Sequence, residues 1–336
     1  MSVIRTAVIG AGGWGTNIIR ALGRVPGAEL SLICDSNPKK IEALAKQYPH
    51  IRFTADVLEV ERASDIDAVI IATPSPTHAG LAEKFLKSKR AVFVEKPMVL
   101  SLSDAAKLVE LTEQGLGPLM VGHLLIYHPA MEMVRRLVIE KSIGELFYLY
   151  TKRLNLGIVR KDENSLWSLA PHDISIILYL MGERPEAVCA FGSPYLTKNV
   201  EDVTFLTLFF KNKRIAQVHV SWLDPYKERK LVVVGSKKMV VFDDMEPNEK
   251  VKIYDKGAEV KGSADYVESI SIRHGDILIP LVPNREPLVE EMKAFIESVK
   301  NNKPPLADAR QGYEVVEVLS RGEESLRSGG AMIKLS

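Results

Sequence analysis

Short apolar runs alternate with segments of helical periodicity in the first third of the chain. Residues 3–9 and 68–73 are nearly all apolar, which is typical of parallel strands buried on both faces. Residues 13–24 carry apolar side chains at helical spacing, so they predict an amphipathic helix directly after the first strand. Because strands that alternate with helices form parallel sheets, this region predicts a doubly wound α/β sheet. Further strands are predicted at residues 30–34, 51–53, 91–95 and 119–121, and further helices at residues 38–47, 77–88 and 102–114.

A different pattern begins after His123. Helices are predicted at residues 129–141 and 167–181, and turn signals such as residues 211–213 separate the later extended stretches, which indicates antiparallel pairing. We therefore predict two domains, residues 1–122 with a parallel sheet and residues 123–336 with a mostly antiparallel one. The extended stretches are residues 146–155, 185–191, 203–210, 215–222, 230–234 and 239–243, followed by a hairpin and loop at 248–275 and helices at 286–300 and 310–327.

One extended stretch, residues 203–210, is apolar on both of its alternating faces. Antiparallel strands usually expose one face to water, so two apolar faces call for two covering layers. We predict that helices cover one face and that a partner subunit covers the other.

Composition narrows the classes of partner. The chain has 336 residues, which favours two domains, and its 44 Lys and Arg residues balance 43 Asp and Glu residues. This balance argues against nucleic acid as a partner. The apolar runs are too short for a membrane span, and the start of the chain reads as a strand rather than a targeting signal. Two distant cysteines, Cys34 and Cys189, form neither a disulfide framework nor a zinc motif, so we expect a cytoplasmic protein without a metal.

A glycine-rich turn follows the first strand. Residues 10–15 read G-x-G-x-x-G and open a helix, which is the context that makes this motif a strong signal for dinucleotide binding. Gly10 permits the tight turn, Gly12 lets the backbone approach a pyrophosphate, and Gly15 lets the helix pack closely on the sheet. We expect cofactor contacts from Gly10, Gly12, Gly13, Trp14 and Gly15.

Asp35 ends the second strand, twenty residues after Gly15 (35 minus 15). A carboxylate at this spacing takes the adenosine ribose hydroxyls and repels the 2′-phosphate of NADP, so NAD is the favoured cofactor. A loop-capping or helix-capping role is the alternative for Asp35.

Two further strand ends should border the cofactor, because ligands lie beyond the carboxyl ends of parallel strands. Thr73, Pro74, Ser75 and His78 belong to the first, and we expect a positional role for His78 in preference to a catalytic one. The second carries Glu95, Lys96 and Pro97, with a Lys96–Pro97 bond that is a candidate for the cis form. The Lys96 ammonium could steady an oxyanion, and a solvent-facing turn lysine is the equal alternative.

These segments, GAGGWG, ATPSPTH and EKP, together with LWSLAPHDIS at residues 166–175, resemble the Gfo/Idh/MocA family of NAD(P)-dependent sugar and cyclitol oxidoreductases. The resemblance covers essentially the whole chain. It implies a Rossmann domain followed by an open sheet that often forms the oligomer interface, hence a homodimer or homotetramer. It also implies that Lys96 is catalytic, that Glu95 and Pro97 position the cofactor end, and that His172 is the acid/base.

The chain departs from the family at Ser168, where many members carry an Asp four residues before the histidine. Asp173 adjoins His172 but points elsewhere on a helix, so it does not necessarily replace that partner. The resemblance also places His123 and Tyr127 beside the substrate. A structural hydrogen-bonding role is at least as well favoured for His123.

A polar cluster after the strand at 146–155 contains Arg153, Asn155 and Arg160. Two arginines can clamp a carboxylate or pyrophosphate, which would favour a nucleotide-linked sugar or uronic acid, and ion-paired surface residues are the equal alternative.

The sequence thus predicts an NAD-dependent enzyme that moves a hydride between nicotinamide and a secondary alcohol carbon of a sugar, cyclitol or nucleotide-linked sugar. Three alternatives remain open. They are an NAD-using glycosidase-like enzyme, a non-enzymatic NAD-binding sensor, and an interaction module built on the apolar sheet.

Overall fold

The computed structural model describes residues 3–157, 159–161, 163–261 and 269–336. The chain divides into two compact units. Unit 1 comprises Met1–Tyr127 and Arg285–Glu317, and unit 2 comprises His128–Asn284 and Val318–Ser336. A functional division into residues 1–122 and 123–336 stays a prediction, since the units are defined by packing rather than by what they bind.

Unit 1 is built on a six-stranded sheet in the order β3-β2-β1-β4-β5-β6, and all of its strand pairs are parallel. The predicted doubly wound Rossmann sheet is therefore confirmed. Its strands are β1 (Ile4–Ile9), β2 (Ala28–Cys34), β3 (Arg52–Thr54), β4 (Ala68–Ile71), β5 (Ala91–Val94) and β6 (Leu119–Val121). The helices along this part of the chain are α1 (Gly13–Leu22), α2 (Pro38–Gln47), α3 (Val57–Arg62), α4 (His78–Lys87) and α5 (Leu102–Glu113).

The core of unit 1 lies on both faces of this sheet. Every residue of β4 and β5 is buried, as the apolar runs predict for central parallel strands. A helix from much later in the chain, α8 (Pro287–Asn301), also packs in this unit, against α1 and β1. Its Phe295 ring meets the ring of Phe93 on β5 edge to face, with 5.7 Å between the ring centres.

Unit 2 is built on a nine-stranded sheet in the order β14-β13-β12-β11-β7-β10-β9-β8-β15. The β7–β10 pair is parallel and the other pairs are antiparallel, which confirms the mostly antiparallel sheet. The strands are β7 (Leu146–Leu154), β8 (Ala187–Ser193), β9 (Val203–Phe209), β10 (Ile215–Ser221), β11 (Glu228–Gly235), β12 (Met239–Asp243), β13 (Val251–Lys261), β14 (Ser269–Leu278) and β15 (Ile333–Lys334). The helices that follow residue 127, α8 aside, are α6 (Pro129–Ile139), α7 (Ser165–Met181) and α9 (Ala309–Arg327).

The two apolar faces of β9 differ in the structure. Thr204, Leu206 and Leu208 are fully buried, and α7 packs on this strand, so a helix covers one face as predicted. Phe205 on the other face is 41% exposed. Cover by a partner subunit there stays a prediction.

The structure adds elements that the pattern did not predict. Residues 57–62 form the short helix α3, and residues 333–334 form the edge strand β15. The hairpin and loop predicted at 248–275 contain the paired strands β13 and β14, the second of which continues to Leu278, and residues 262–268 of this segment lie outside the described residues. Within the described part of the chain, every helix is too short or too polar to cross a membrane.

Candidate active site

The glycine-rich turn of unit 1 depends on missing side chains. Gly10 has φ +94°, and a Cβ there would lie 2.6 Å from the carbonyl oxygen of Ala72. A Cβ on Gly15 would lie 2.0 Å from the carbonyl oxygen of Gly10. Both positions therefore need glycine for the tight turn and for the close approach of α1 to the sheet.

The start of α1 fits a dinucleotide phosphate. Its N-cap residue, Gly12, supplies no side-chain hydrogen bond, and the first turn carries no acidic residue. A Cβ on Gly13 would meet nothing within 4 Å, so the first amides of the helix remain approachable. Amides at the positive end of a helix bind phosphate, and residues 10–15 would hold the pyrophosphate of a bound dinucleotide here.

Asp35 directly follows β2 and is joined to this turn. Its Oδ2 accepts a hydrogen bond from the amide of Ala11 at 2.7 Å, and its Oδ1 accepts one from the amide of Asn37 at 2.9 Å. The Nζ of Lys40 lies 3.5 Å from Oδ2. The carboxylate thus caps its own loop and also stands beside the turn, so the two roles weighed from the sequence are compatible.

His78 joins the loops that follow β4 and β5. Its Nε2 lies 2.8 Å from the carbonyl oxygen of Thr73, and its Nδ1 lies 2.9 Å from the carbonyl oxygen of Pro97. Burial lowers the pKa of His78, although both carbonyl contacts oppose that shift. Both ring nitrogens face the backbone, which supports the positional role. Pro74 and Ser75 lie in the same loop, where Ser75–Thr77 forms a 3-10 turn.

Glu95 connects the loop after β5 to the glycine-rich turn. The Nε1 of Trp14 donates a hydrogen bond to its Oε1 at 2.5 Å, and the amide of Lys96 donates one to its Oε2 at 3.2 Å. A Cβ on Gly122 would lie 3.0 Å from the carboxyl atoms of Glu95, so the carboxyl group rests against the backbone after β6. The next peptide bond, Lys96–Pro97, is cis, as predicted.

Glu291 is a second acid of unit 1 and is fully buried on α8. Burial raises the pKa of Glu95 to about 7, while Trp14 and Lys96 lower it. Burial, and then the charge of Glu95, raise the pKa of Glu291 well above its ordinary value. Among the described residues, neither carboxyl oxygen of Glu291 has a hydrogen-bond partner. Two neighbouring carboxyls in one apolar interior do not both ionise, so Glu291 is the one that keeps a proton.

His123 follows β6 and is 1% exposed. Neither ring nitrogen has a hydrogen-bond partner within the described ranges. Burial, and secondarily the charge of Lys96, lower the pKa of His123 to about 3, so its imidazole is neutral at physiological pH. Tyr127, four residues later, accepts a hydrogen bond from the amide of Ala307 at its hydroxyl. Contacts of His123 and Tyr127 with a substrate stay predictions.

His172 lies on α7 in unit 2. Asn164 begins this helix by accepting a hydrogen bond from the amide of Trp167 at 3.1 Å. Pro171 lies inside the helix and cannot donate to the carbonyl one turn earlier. His172 is partly buried, and Ser168 stands one turn before it on the helix.

The predicted polar cluster of unit 2 separates into two ion pairs. The Nε of Arg153 lies 2.6 Å from Oδ2 of Asp173, and both side chains are nearly enclosed. Arg160 pairs with Glu163 at 3.0 Å on the surface. Asn155 follows β7, and its backbone N–H donates a hydrogen bond to the backbone carbonyl of Ser221 at 3.2 Å. Roles for this cluster at a substrate stay predictions.

The burial of Glu291 was not predicted, although the spacing of residues in the sequence indicates it. Leu288, Met292 and Phe295 form the buried stripe of α8, and Glu291 falls on the same stripe by helical spacing. An acid on an apolar stripe marks a buried carboxyl group. Within the described ranges, no three His, Cys, Asp or Glu side chains form a group that could hold a metal ion.

Comparison with protein families agrees with this architecture. Residues 4–123 match the oxidoreductase family with an NAD-binding Rossmann fold, and residues 131–241 match the GFO/IDH/MocA C-terminal domain. The chain belongs to the Gfo/Idh/MocA oxidoreductase family, which confirms the resemblance.

Several characterised relatives are similar over much of the chain. The 2,7-anhydro-N-acetylneuraminate hydratase of Escherichia coli strain K12 is 26% identical and aligns over 73% of this chain and 68% of its own length. The myo-inositol 2-dehydrogenase of Thermotoga maritima is 25% identical over 92% of each chain. The UDP-N-acetylglucosamine 3-dehydrogenase of Acidithiobacillus ferrooxidans is 25% identical over 93% of this chain and 94% of its own.

The crystal structure of the last of these enzymes gives the same fold. It superimposes with a TM-score of 0.81 at 22% identity, over 98% of this chain and 99% of that chain.

Proposed function

We propose that this protein is an NAD-dependent dehydrogenase of a secondary alcohol on a sugar, cyclitol or nucleotide-linked sugar. The observation that carries the proposal is the link, within unit 1, between the glycine-rich turn and the loop after β5 that contains Lys96. Trp14 of the turn bonds Glu95, and Glu95 directly precedes Lys96. This link supports a role for Lys96 at the alcohol that would face the nicotinamide of a bound dinucleotide.

The side chains would divide the work as follows. Lys96 orients the substrate hydroxyl and stabilises the negative charge that develops on its oxygen. His172 takes or returns the hydroxyl proton, because an imidazole titrates near neutral pH. When bound, NAD supplies the hydride acceptor, and residues 10–15 with Asp35 hold its pyrophosphate and ribose.

The preference for NAD over NADP is part of the proposal. Asp35 presents a carboxylate next to the turn, and this charge would oppose the 2′-phosphate of NADP. Lys40 stands 3.5 Å from that carboxylate and offsets part of the charge. We therefore expect NAD to bind more tightly than NADP, and we expect Asp35 to account for the difference.

Relatives that act on different groups support the proposed substrate class. The two dehydrogenases described above are named for a free cyclitol and for a nucleotide-linked amino sugar. The first-named relative is a hydratase, which favours a second candidate function in which the cofactor is reduced and reoxidised within one turnover, without net redox change. Residues that exchange a proton and polarise a hydroxyl serve both reactions.

A substrate screen with the purified chain tests the proposal. Inositols, free sugars, uronic acids and UDP-linked amino sugars would each be offered with NAD and with NADP, and absorbance of the reduced nicotinamide would be followed. Reduction of NAD by one class of compound is the expected result. Consumption of a sugar without net absorbance change, with NAD carried through purification, would favour the second candidate function. If the chain binds NAD but neither reduces it nor consumes any of these sugars, both candidate enzyme functions would be contradicted.

Assembly into a homodimer or homotetramer through the C-terminal sheet and a cytoplasmic location belong to the same proposal. The support for assembly is the half-exposed aromatic face of that sheet, which includes Tyr148 and Phe205. Neither nucleic acid nor a membrane is proposed as a partner.

A further inference from the structure

Trp14 and Glu95 connect two loops of unit 1 that are 81 positions apart in the chain. The indole Nε1 donates to Oε1 of Glu95, while Oε2 accepts the amide of Lys96. One carboxyl group therefore holds the glycine-rich turn on one oxygen and the lysine loop on the other. Trp14 is 42% exposed, so packing encloses only part of its ring.

The carboxyl group of Glu95 has little room to move. It lies against Gly122, where a single added Cβ would come within 3.0 Å of three of its atoms. Any change in the direction of this carboxyl group would therefore alter its bond to the turn and its bond to the lysine loop together.

We propose that Trp14 is a positioning residue for Lys96 and that it acts through the carboxylate of Glu95. This inference rests on the dehydrogenase function proposed above, because it assigns Lys96 to the substrate. The indole N–H favours the ionised form of Glu95 and keeps its carboxyl group in place, and Glu95 holds the Lys96 backbone and attracts its ammonium. A dinucleotide on residues 10–15 would thus bind a turn that is already tied to the substrate-facing lysine.

The surroundings of Glu95 explain why the indole bond matters. Burial disfavours its charge, and Trp14 is the largest influence that opposes burial. Burial raises the pKa of the neighbouring acid on α8 well above its ordinary value, so a negative charge in this interior is favoured on Glu95. Within the part of the chain that the structure describes, the titratable groups that interact electrostatically with Glu95 or Lys96 include two buried imidazoles and one buried acid, namely His78, His123 and Glu291.

Trp14→Phe keeps an aromatic ring but removes the N–H donor. Glu95 then loses a bond that favours its ionised form, so a larger fraction is protonated at neutral pH, and the support for the Lys96 ammonium weakens. A hydrogen bond to a charged group changes an equilibrium constant by a factor of roughly ten or more. We therefore expect kcat to fall about tenfold. The KM for NAD should change by less than about twofold, because the ring and the backbone amides of the turn remain.

The first measurement needs neither cofactor nor substrate. Tryptophan emission of the unliganded chain is recorded from pH 5 to pH 9, and the emission of Trp14→Phe is subtracted to isolate Trp14. The difference should titrate with a midpoint near pH 7, where Glu95 titrates, and Glu95→Gln should abolish that titration. Trp167 donates to Glu323 in unit 2, so the emission removed by Trp167→Phe is the matched control, and it should show no titration of this kind. A flat Trp14 signal, or one that persists in Glu95→Gln, overturns the link.

The second measurement asks whether the link reaches Lys96. Acylation of Lys96 by acetic anhydride at pH 7 is followed by peptide mass spectrometry, with Lys84 as internal reference. Loss of the neighbouring carboxylate should speed acylation of Lys96 severalfold in Glu95→Gln and in Trp14→Phe, with no further gain in the double variant. Equal Lys96 rates in all four chains would overturn the positioning role. These results stand even when no substrate is found, so failure of this inference is distinguishable from failure of the proposed function.

Once a substrate is known, kcat is measured for the same four chains, namely the wild type, the two single variants and the double variant. The effect of Trp14→Phe should vanish in the Glu95→Gln background, and the wild-type dependence of kcat on pH should shift to higher pH in Trp14→Phe. Two independent, multiplying losses would instead assign Trp14 to packing alone. Binding of NADH, measured by energy transfer from tryptophan, confirms that each variant still takes the cofactor.

Discussion

The guanidinium of Arg153 on β7 and the carboxylate of Asp173 on α7 form a nearly enclosed ion pair, with 2.6 Å between Nε and Oδ2. A second contact, from a terminal nitrogen of Arg153 to Oδ1, is 3.5 Å long. The pair ties the central strand of the second sheet to the helix that carries His172. It therefore gives both residues a structural duty in unit 2, whatever they do at a substrate.

Asp173→Asn should destabilise the protein by about 3–5 kcal/mol, because it leaves the buried Arg153 charge without a counter-charge. The free energy of unfolding would be measured with urea. Arg160→Ala is the matched control, since it breaks an exposed ion pair and should cost less than about 1 kcal/mol. A loss at Asp173→Asn no larger than at Arg160→Ala would contradict the structural duty.

Asp35→Ala should weaken NAD binding and relax discrimination against NADP. The variant loses the ribose acceptor and the bond to the Ala11 amide, and it removes the charge that opposes a 2′-phosphate. We expect the dissociation constant for NADP divided by that for NAD to fall by roughly tenfold, which corresponds to about 1.4 kcal/mol.

Asp56→Ala is the matched control for that change. Asp56 accepts a hydrogen bond from the amide of Leu58 and caps α3, so its loss should cost about 1 kcal/mol of stability but leave cofactor preference alone. An unchanged NAD-to-NADP ratio in Asp35→Ala would reduce Asp35 to its loop-capping role.

The sequence predicted local features well. The glycine-rich turn, the carboxylate at Asp35 and the apolar run of β4 each depend on a few consecutive residues or on a fixed spacing. Their conformation is set by backbone freedom and burial near the site itself. The family resemblance then extended these local signals to the whole chain.

Features that depend on contacts between residues far apart in the chain were harder to predict from the sequence. Nothing in the order of residues tells that Arg153 and Asp173 pair, or that Trp14 meets Glu95, because both contacts arise only when separate elements pack. The two-residue strand β15 has no periodicity to detect, and α8 follows the second sheet in sequence but packs on the first. Glu291 is the intermediate case, since helical spacing marks it as buried but cannot say which acid it faces.

Lys96→Ala and His172→Ala should each lower kcat by orders of magnitude, while NADH still binds. Both groups act on the substrate hydroxyl in the proposal, and general acid–base catalysis alone contributes about 10²–10⁴-fold. Lys84→Ala and His50→Ala serve as controls, because Lys84 pairs with Glu61 at the surface and His50 is exposed. A fully active Lys96→Ala enzyme would refute the role given to that lysine.

The buried imidazole of His123 should make the protein less stable in acid. Its pKa in the folded chain is about 3, below the 6.5 of an ordinary histidine, so between these values the unfolded chain binds a proton that the folded chain refuses. Stability from this residue therefore falls as pH decreases from about 6.5 towards 3. Each pH unit in that window contributes about 1.4 kcal/mol, so from pH 6.5 to pH 5 we expect a loss of about 2 kcal/mol.

His123→Gln isolates this contribution, since glutamine does not titrate. The free energy of unfolding of the wild type minus that of the variant should decrease by about 2 kcal/mol when the pH is lowered from 6.5 to 5. Glu291→Gln provides a control of opposite sign. The pKa of Glu291 is raised in the folded chain, so its contribution falls as pH rises above the ordinary value of 4.5, and the corresponding difference should decrease from pH 5 to pH 6.5. Two differences that change in the same direction would show that at least one of these side chains does not titrate in the apolar interior that surrounds it.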